Sequence, residues 1–382
     1  MTADDRRWLA KAVSLARDGT ALASPNPVVG AVATDRSGRR AGQGFYTYEG
    51  RKHAEILALE EAGGRAAGGT LYVSLEPCSI QGRTPPCVNA IVEAGVARVV
   101  AASRDRNPAI DGAGFDRLRQ AGIAVDEADG ELAAEAGRLN EDFFHFARTG
   151  RPLVTLKSAS TLDGKIAAPD DNTGWITSRV ARLHVQGVRH SHDAIMTGIG
   201  TVQADDCLLT DRSGQPRRRA LLRVVADSLL RLSIDSRIVE SFADDLVVAT
   251  TSAAAAKRRK LFSDRRIPVQ VFDSPTARVD LHGLMDWLGD QGIISLMIEG
   301  GAKLNWAILE TGVADKVLIY YAPKILGGFD SLPLVGGAGR RSRAGALKLR
   351  NLRTFMVSGD EFAVEAYVRK DQPAAHAAAA GR

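Results

Sequence analysis

A histidine, a glutamate and two cysteines near the start of the chain have the types and the order of a hydrolytic metal site. His53 and Glu55 stand two positions apart, and Cys78 and Cys87 follow. One imidazole and two thiolates give a tetrahedral zinc ion three ligands and leave its fourth position open for water, as in catalytic sites. Glu55 is not needed as a ligand, and a glutamate at this place transfers protons in zinc deaminases. The pattern predicts zinc-dependent hydrolytic deamination, with Glu55 as the general acid–base.

The elements that must position these residues fit that geometry. The apolar, β-branched residues 70–75 predict a buried strand that ends shortly before Cys78. Residues 53–63 predict a helix with His53 in its first turn, and the prolines at positions 85 and 86 predict the start of a second helix at Cys87. Helix N-termini favour thiolates because the positive end of the helix dipole stabilises negative charge.

Two glycine-containing turns after predicted strands are further candidates for ligand binding. Residues 294–298 predict a strand, which Glu299, Gly300 and Gly301 connect to a predicted helix, and residues 197–201 form a second such turn. Glycines let a phosphate approach the backbone, and a helix N-terminus offers free N–H groups. Neither turn has the spacing of a dinucleotide-binding Rossmann unit, and such turns are as often structural, so the glycines alone do not identify a cofactor.

Composition favours a soluble cytoplasmic enzyme. The 382 residues are 45% hydrophobic and 25% charged, with a net charge of +5, and no apolar run approaches the roughly 20 residues of a membrane span. Two of the three cysteines are assigned to zinc, so no disulfide framework is expected, which is typical of a reducing cytoplasm. The basic clusters at 217–219 and 257–260 contain no aromatic residues and are interpreted as a loop and a solvent-facing helix rather than a nucleic-acid surface.

Strands and helices alternate in both halves of the chain, which predicts two α/β domains. The pattern restarts at Pro152, so we predict domains at residues 1–149 and 150–370, with residues 132–147 as one connecting helix. The alanine-rich residues 371–382 predict a disordered tail.

Several motifs together resemble one family, the bifunctional deaminase–reductases of the riboflavin pathway. Eight residues separate the two cysteines, whereas two are usual in generic cytidine deaminases. In the first half the resemblance rests on SPNPVVGAV at 24–32, HAE at 53–55, LEPCS at 75–79, GRTPPC at 82–87 and DRNP at 105–108. In the second half it rests on LDGK at 162–165, GWIT at 174–177, DAI at 193–195, GTVQADD at 200–206 and EGG at 299–301. Nearly the whole chain is covered.

The resemblance implies a cytidine-deaminase-like α/β/α domain followed by a dihydrofolate-reductase-like α/β domain. It implies deamination of 2,5-diamino-6-(5-phosphoribosylamino)pyrimidin-4-one with Zn²⁺, then NADPH reduction of the ribosyl group to ribityl, in a homo-oligomer that binds neither nucleic acid nor membrane. The implied NADPH contacts are Ala159, Trp175, Thr201, Asp205, Ser228, Gly300 and Gly301. The implied substrate contacts are Asn26, Thr173, Arg189, Leu209, Arg212 and Glu299. The two arginines suit a phosphate, which binds well to a bidentate guanidinium.

The chain departs from the family pattern at a few positions. Ile80 and Gln81 replace two histidines, Tyr46 replaces a third, and Cys207 stands where proline is usual. The histidines lie near the pyrimidine or its phosphate in the family. The zinc ligands and Glu55 are retained, so these changes bear on substrate recognition rather than on deamination itself.

Two alternatives stay open at this point. A paralogue could apply the same two chemistries to another pyrimidine-derived metabolite. A nucleic-acid base deaminase would stack a flipped base on aromatic residues beside a basic channel. The aromatic content of only 5% disfavours this second alternative.

Overall fold

A computed structural model describes residues 1–170 and 174–370. Thr173 and the predicted tail therefore lie outside the described residues. The chain divides into two compact units. The first contains Met1–Gly150 together with the short segment Pro216–Arg219, and the second contains Arg151–Gln215 and the chain from Ala220 onward. No helix in the described ranges combines the length and the apolar character that crossing a bilayer requires.

The first unit has a five-stranded sheet between two layers of helices, with strand order β2-β1-β3-β4-β5. Its strands are β1 Gly30–Thr34, β2 Arg40–Phe45, β3 Thr70–Val73, β4 Arg98–Ala101 and β5 Ala124–Glu127. Its helices are α1 Ala3–Asp18, α2 Ala54–Ala62, α3 Cys87–Glu93, α4 Ala113–Gln120, α5 Gly130–Leu139 and α6 Glu141–Thr149.

Alternation along the strands builds one core on each face of this sheet. Ala31 and Leu71 face the core that α2, α3 and α4 cover, whereas Val32 and Tyr72 face the core that α1 and α5 cover. Successive strand residues point to opposite faces. The burial of residues 71–73 thus fits the central position of β3 in the sheet.

The predicted single helix at 132–147 is wrong, because the chain forms two helices that meet at Asn140. The buried Asn140 side chain accepts from the backbone N–H of Val28 at 2.8 Å and donates to its carbonyl at 3.0 Å. The Asn140 backbone leaves the helical region, with φ −119° and ψ 17°. A buried polar side chain must be hydrogen-bonded, and these two bonds fix Asn140 at the break between the helices.

The second unit has a nine-stranded sheet in the order β11-β10-β9-β8-β12-β6-β13-β16-β15. Its strands are β6 Leu153–Thr161, β8 Ala194–Gly198, β9 Leu222–Ala226, β10 Leu246–Thr250, β11 Val269–Val271, β12 Ser295–Glu299, β13 Lys316–Ala322, β15 Leu349–Met356 and β16 Phe362–Val368. A separate pair is formed by β7 Lys165–Ala167 and β14 Leu332–Pro333. The helices are α7 Arg179–His190, α8 Ile199–Asp205, α9 Arg237–Glu240, α10 Ala256–Asp264, α11 Leu281–Asp290 and α12 Ala302–Glu310.

In the order of the sheet, the neighbouring strands β11, β10, β9, β8, β12, β6 and β13 all run parallel. Strand β16 then pairs antiparallel with β13, and β15 pairs antiparallel with β16. Helices cover both faces: in β12, Leu296 and Ile298 join the core under α11 and α12, and Met297 joins the core under α8, α9 and α10. In such sheets ligands bind beyond the carboxyl ends of the strands. Glu299 ends β12 at that edge.

Two candidate active sites

The three predicted zinc ligands of the first unit lie together. His53 caps the N-terminus of α2, Cys87 is the first residue of α3, and Cys78 lies in the loop after β3. Their ligand atoms all lie within 4.8 Å of one another. Nδ1 of His53 is 3.0 Å from Sγ of Cys87 and 3.5 Å from Sγ of Cys78. This spacing fits a single tetrahedral ion.

The two thiols have opposite protonation tendencies. The hydrogen bond from the Cys87 thiol lowers the pKa of Cys78 to about 4, and the backbone N–H of Cys87 also donates to Cys78 Sγ at 3.3 Å. The same contact, with burial, raises the pKa of Cys87. A thiolate beside a thiol forms a donor set that fits a divalent metal, since metal binding releases the remaining proton.

Glu55 lies beside these ligands and is only 3% exposed. Its Oε2 is buried and has no hydrogen-bond partner among the described protein groups. Burial raises the pKa of the Glu55 carboxyl, which suits a group that must accept and then release a proton near neutral pH. A buried oxygen without a partner costs free energy, so it indicates a polar ligand at this position.

Tyr46 and Thr84 contact the His53 ring, and Asn26 contacts Tyr46. The Tyr46 ring meets it edge-on, with centroids 5.3 Å apart, and Asn26 Nδ2 donates to the Tyr46 hydroxyl at 2.7 Å. The Thr84 hydroxyl lies 3.2 Å from His53 Nε2. Asn26 is thus connected to the metal ligand His53 through Tyr46, one of the residues that depart from the family pattern.

The candidate site of the second unit centres on Glu299. Arg189 of α7 donates its Nε and Nη2 to the two carboxylate oxygens, each at 2.9 Å, and Lys157 of β6 places Nζ 3.6 Å from Oε2. Burial opposes ionisation of Glu299, but the Lys157 charge and the Arg189 hydrogen bonds outweigh it and lower its pKa to about 2. The carboxylate is therefore charged and fully paired within the protein.

Lys157 was not predicted as a site residue. It lies in the middle of the largely buried strand β6 and pairs in register with Glu299 across β6 and β12. Burial lowers the pKa of its ammonium group. The signal in the sequence is a lysine directly after the apolar residues Leu153, Val154 and Leu156 of a predicted strand, since lysines are rarely buried unless paired.

Four of the residues that the resemblance assigns to NADPH lie after neighbouring strands. Thr201 and Asp205 belong to α8 after β8, and Gly300 and Gly301 follow β12. A Cβ on Gly301 would lie 3.6 Å from Thr201 Oγ1, so the two turns adjoin. A Cβ on Gly300 would lie 2.8 Å from Leu304 Cδ2, so a larger residue here would require the Leu304 side chain to move.

The remaining assigned NADPH residues lie on other elements. Ala159 is on β6, in register with Tyr320. Ser228 follows β9, and its hydroxyl accepts from the backbone N–H of Val279 at 3.2 Å. Trp175 is 69% exposed. Their contact with a cofactor stays a prediction.

The predicted substrate residues of this unit have contrasting environments. Arg189 is buried against Glu299 and also donates Nη1 to the carbonyl of Thr210 at 3.0 Å. Leu209 is buried with a left-handed φ of 54°. Arg212 is exposed. Of the two predicted phosphate arginines, only Arg212 is not already bound to a carboxylate in this site.

The two units together define a class: a zinc-dependent deaminase domain joined to a reductase domain. Known protein families match both parts. The model of the cytidine and deoxycytidylate deaminase zinc-binding region matches residues 2–103, and that of the RibD C-terminal domain matches residues 152–360.

Full-length relatives identify the family. The riboflavin biosynthesis protein RibD of Actinobacillus pleuropneumoniae is 38% identical over 359 residues, which cover 94% of each chain. RibD of Escherichia coli (strain K12) is 39% identical over 338 residues, covering 85% of this chain and 89% of the relative. The structure of Acinetobacter baumannii RibD, form 1, matches with a TM-score of 0.81 and 34% identity over 96% of this chain and 99% of that one.

The chain belongs to the RibD family of riboflavin-biosynthesis enzymes. It is a bifunctional enzyme with a zinc-dependent deaminase step and an NADPH-dependent reductase step. The predicted fold class, a cytidine-deaminase-like domain followed by a dihydrofolate-reductase-like domain, is confirmed.

Proposed function

We propose that this chain converts 2,5-diamino-6-(5-phosphoribosylamino)pyrimidin-4-one in two consecutive steps: the first unit deaminates the pyrimidine, and the second reduces the ribosyl group to ribityl with NADPH. The match to a Thermotoga maritima deaminase/reductase carries the substrate assignment. That structure is described as a diaminohydroxyphosphoribosylaminopyrimidine deaminase and 5-amino-6-(5-phosphoribosylamino)uracil reductase, and it matches over 96% of this chain with a TM-score of 0.78.

In the first unit His53, Cys78 and Cys87 would hold zinc, which supplies activation of water near neutral pH. Glu55 accepts the proton of the attacking water and passes it to the departing amine, so that ammonia leaves as a neutral molecule. The unpartnered Oε2 of Glu55 supports this role, because it is free to bond to water or to the pyrimidine. Asn26 and Tyr46 orient the ring.

In the second unit NADPH, when bound, would supply the reducing chemistry for the ribosyl group, and the protein's own residues mainly orient cofactor and sugar. Glu299, held by Arg189 and Lys157, positions sugar hydroxyls. The turns at Thr201 and Gly301 adjoin and hold the cofactor. Arg212 binds the substrate phosphate, since Arg189 already bonds to Glu299.

The enzyme works in the cytoplasm as a homo-oligomer. The three cysteines are free thiols, which suits a reducing compartment. The edge strand β15 exposes Leu349, Leu352 and Met356. An exposed apolar edge strand is a surface that a second chain can pair with.

Mass spectrometry of the reaction of the purified chain tests this function. Incubation with the diaminopyrimidinone phosphate alone should replace one amino group by oxygen and release ammonia. Addition of NADPH should add two hydrogens to that product, and NADH should work less well. No turnover of this substrate, combined with turnover of another pyrimidine, would indicate a paralogue instead.

A further inference from the structure

The segment Pro216–Arg219 belongs to the first unit, although it is preceded and followed in sequence by residues of the second. The backbone N–H of Arg218 donates to the carbonyl of Ala21 at 3.0 Å. Arg219 Nη2 donates to the hydroxyl of Ser24 at 3.3 Å. Because Ser24 lies two positions before Asn26, these bonds fix the segment beside a loop that carries a predicted substrate residue.

Arg218 stacks on a tyrosine that a second arginine also covers. The guanidinium carbons of Arg218 and Arg83 each lie 3.9 Å from the centroid of the Tyr48 ring. They are therefore less than about 8 Å apart, a separation no longer than the Debye length at physiological salt. Two like charges fixed so close together repel each other, and an anion bound between or beside them offsets this electrostatic repulsion.

The guanidinium group of Arg218 has donors to spare. Its Nε and Nη1 are buried and have no hydrogen-bond partner among the described protein groups. The carboxylate of Glu49 approaches Nε only to 3.5 Å, and that side chain is 79% exposed. Buried donors without acceptors cost free energy, so these two donors indicate a bound hydrogen-bond acceptor that is not among the described residues.

The two arginines lie close to the deamination centre. Both stack on Tyr48, which stands two positions after Tyr46. Tyr46 packs against the His53 ring. Arg83 directly precedes Thr84, whose hydroxyl reaches His53 Nε2. An anion held by the arginines would thus be connected to a pyrimidine at the metal ligands by a short spacer, such as a ribosyl group.

We propose that Arg218, together with Arg83, binds the phosphate of the deaminase substrate, so that a segment embedded in the sequence of the second unit sets the specificity of the first. This inference rests on the proposed function. A phosphate dianion neutralises both guanidinium groups and accepts the spare hydrogen bonds of Arg218. Ile80 and Gln81, on the loop before Arg83, bring no charge to this region.

Deamination kinetics of the full chain test the role of Arg218. Arg218→Ala should raise KM for the phosphorylated pyrimidine about 10- to 100-fold, the size expected for loss of charge-assisted hydrogen bonds, and should change kcat much less. The dephosphorylated pyrimidine should be a poor substrate with the same KM in both proteins. Inorganic phosphate should compete with substrate in the wild type and more weakly in the variant.

Two control variants separate phosphate binding from other effects. Arg217→Ala removes an equal charge from the same segment and should leave KM nearly unchanged. Arg218→Lys keeps the charge but loses the planar fork, so its KM should lie between those of the wild type and Arg218→Ala. Zinc content and NADPH-dependent reduction of the deaminated product should be normal in all three variants.

An equal rise of KM for the phosphorylated and dephosphorylated substrates would overturn the proposal, and so would equal competition by phosphate in the wild type and Arg218→Ala. Failure of the proposed function has a different signature. In that case the wild type would not deaminate the diaminopyrimidinone phosphate at all. Calorimetric titration with inorganic phosphate would then decide the anion site: binding that requires Arg218 sustains it, and binding that does not require Arg218 refutes it.

Discussion

The two candidate active sites differ in how their buried polar groups are paired. In the first unit, Oε2 of Glu55 and two nitrogens of Arg218 have no hydrogen-bond partner among the described residues, and two thiols face one histidine. In the second unit, Glu299 is bonded on both oxygens by Arg189 and approached by Lys157. The first site is completed by what it binds, whereas the charged centre of the second is already neutralised. Ligands should therefore affect the structure of the first unit more than that of the second.

Loss of a zinc ligand gives the largest expected contrast between the units. Cys87→Ala should abolish ammonia release and strip zinc, because a buried three-ligand site does not hold the ion with two. NADPH oxidation with the already deaminated substrate should persist. Metal analysis and the two separate assays check this prediction.

The matched control for this experiment is Cys207→Ala, which removes a thiol outside the metal cluster. It should keep full zinc and normal ammonia release. Burial raises the pKa of Cys207 to about 11, so this thiol is poorly suited to metal binding. Full zinc in Cys87→Ala would contradict the assigned ligand set.

Removal of the proton carrier should leave the metal in place and stop the chemistry. Glu55→Gln keeps the shape of the side chain but cannot transfer a proton, so the deamination rate should fall by roughly 10²–10⁴-fold. Zinc content and reductase activity should match the wild type. Near-normal ammonia release from this variant would show that another group moves the proton.

The metal site could be predicted from sequence because its chemistry depends on residue types in a fixed order. His53, Cys78 and Cys87 lie on local elements whose starts and ends have clear signals, such as the prolines before α3. The strand predicted at residues 294–298 matches β12, Ser295–Glu299, for a similar reason, since parallel strands covered on both faces are nearly continuous apolar runs. Contacts between residues that are far apart in the sequence leave no such local pattern.

Three features could not be predicted because they depend on contacts between distant parts of the chain. The break at Asn140 depends on its bonds to Val28, which lies more than a hundred positions earlier. The stacking of Arg218 on Tyr48 depends on the segment Pro216–Arg219, which packs with residues of the first unit that lie far away in the sequence. Strand β15 is almost wholly exposed, so it lacks the buried alternation by which strands are recognised.

Breaking the internal pairing of the second site should affect stability before it affects binding. Arg189→Ala leaves Glu299 buried with Lys157 alone, and loss of one partner of a buried ion pair typically costs about 3–5 kcal/mol of unfolding free energy. Denaturant unfolding monitored for each unit should show the loss in the second unit, with zinc content unchanged.

Arg189→Lys serves as the control for Arg189→Ala. It keeps a positive charge beside Glu299, so it should be less destabilised than Arg189→Ala. If Arg189→Ala were as stable as the wild type, Glu299 would be solvated or protonated, and the contrast between the two sites would fail.

The smallest expected effect concerns the exposed arginine of the second site and sharpens the same contrast. Since Arg189 is bonded to Glu299, Arg212 is left to bind the substrate phosphate, and its exposed side chain has little structural role to lose. Arg212→Ala should weaken binding of the phosphorylated pyrimidine to the reductase by about tenfold to a hundredfold, with unfolding free energy and NADPH affinity nearly unchanged. Titrations of NADPH and of the deaminated substrate measure both affinities, and Arg265→Ala, another exposed arginine of this unit, should alter neither. If Arg212→Ala weakens NADPH instead of the substrate, the arginine serves the cofactor, and the phosphate of the second step must be bound by other residues.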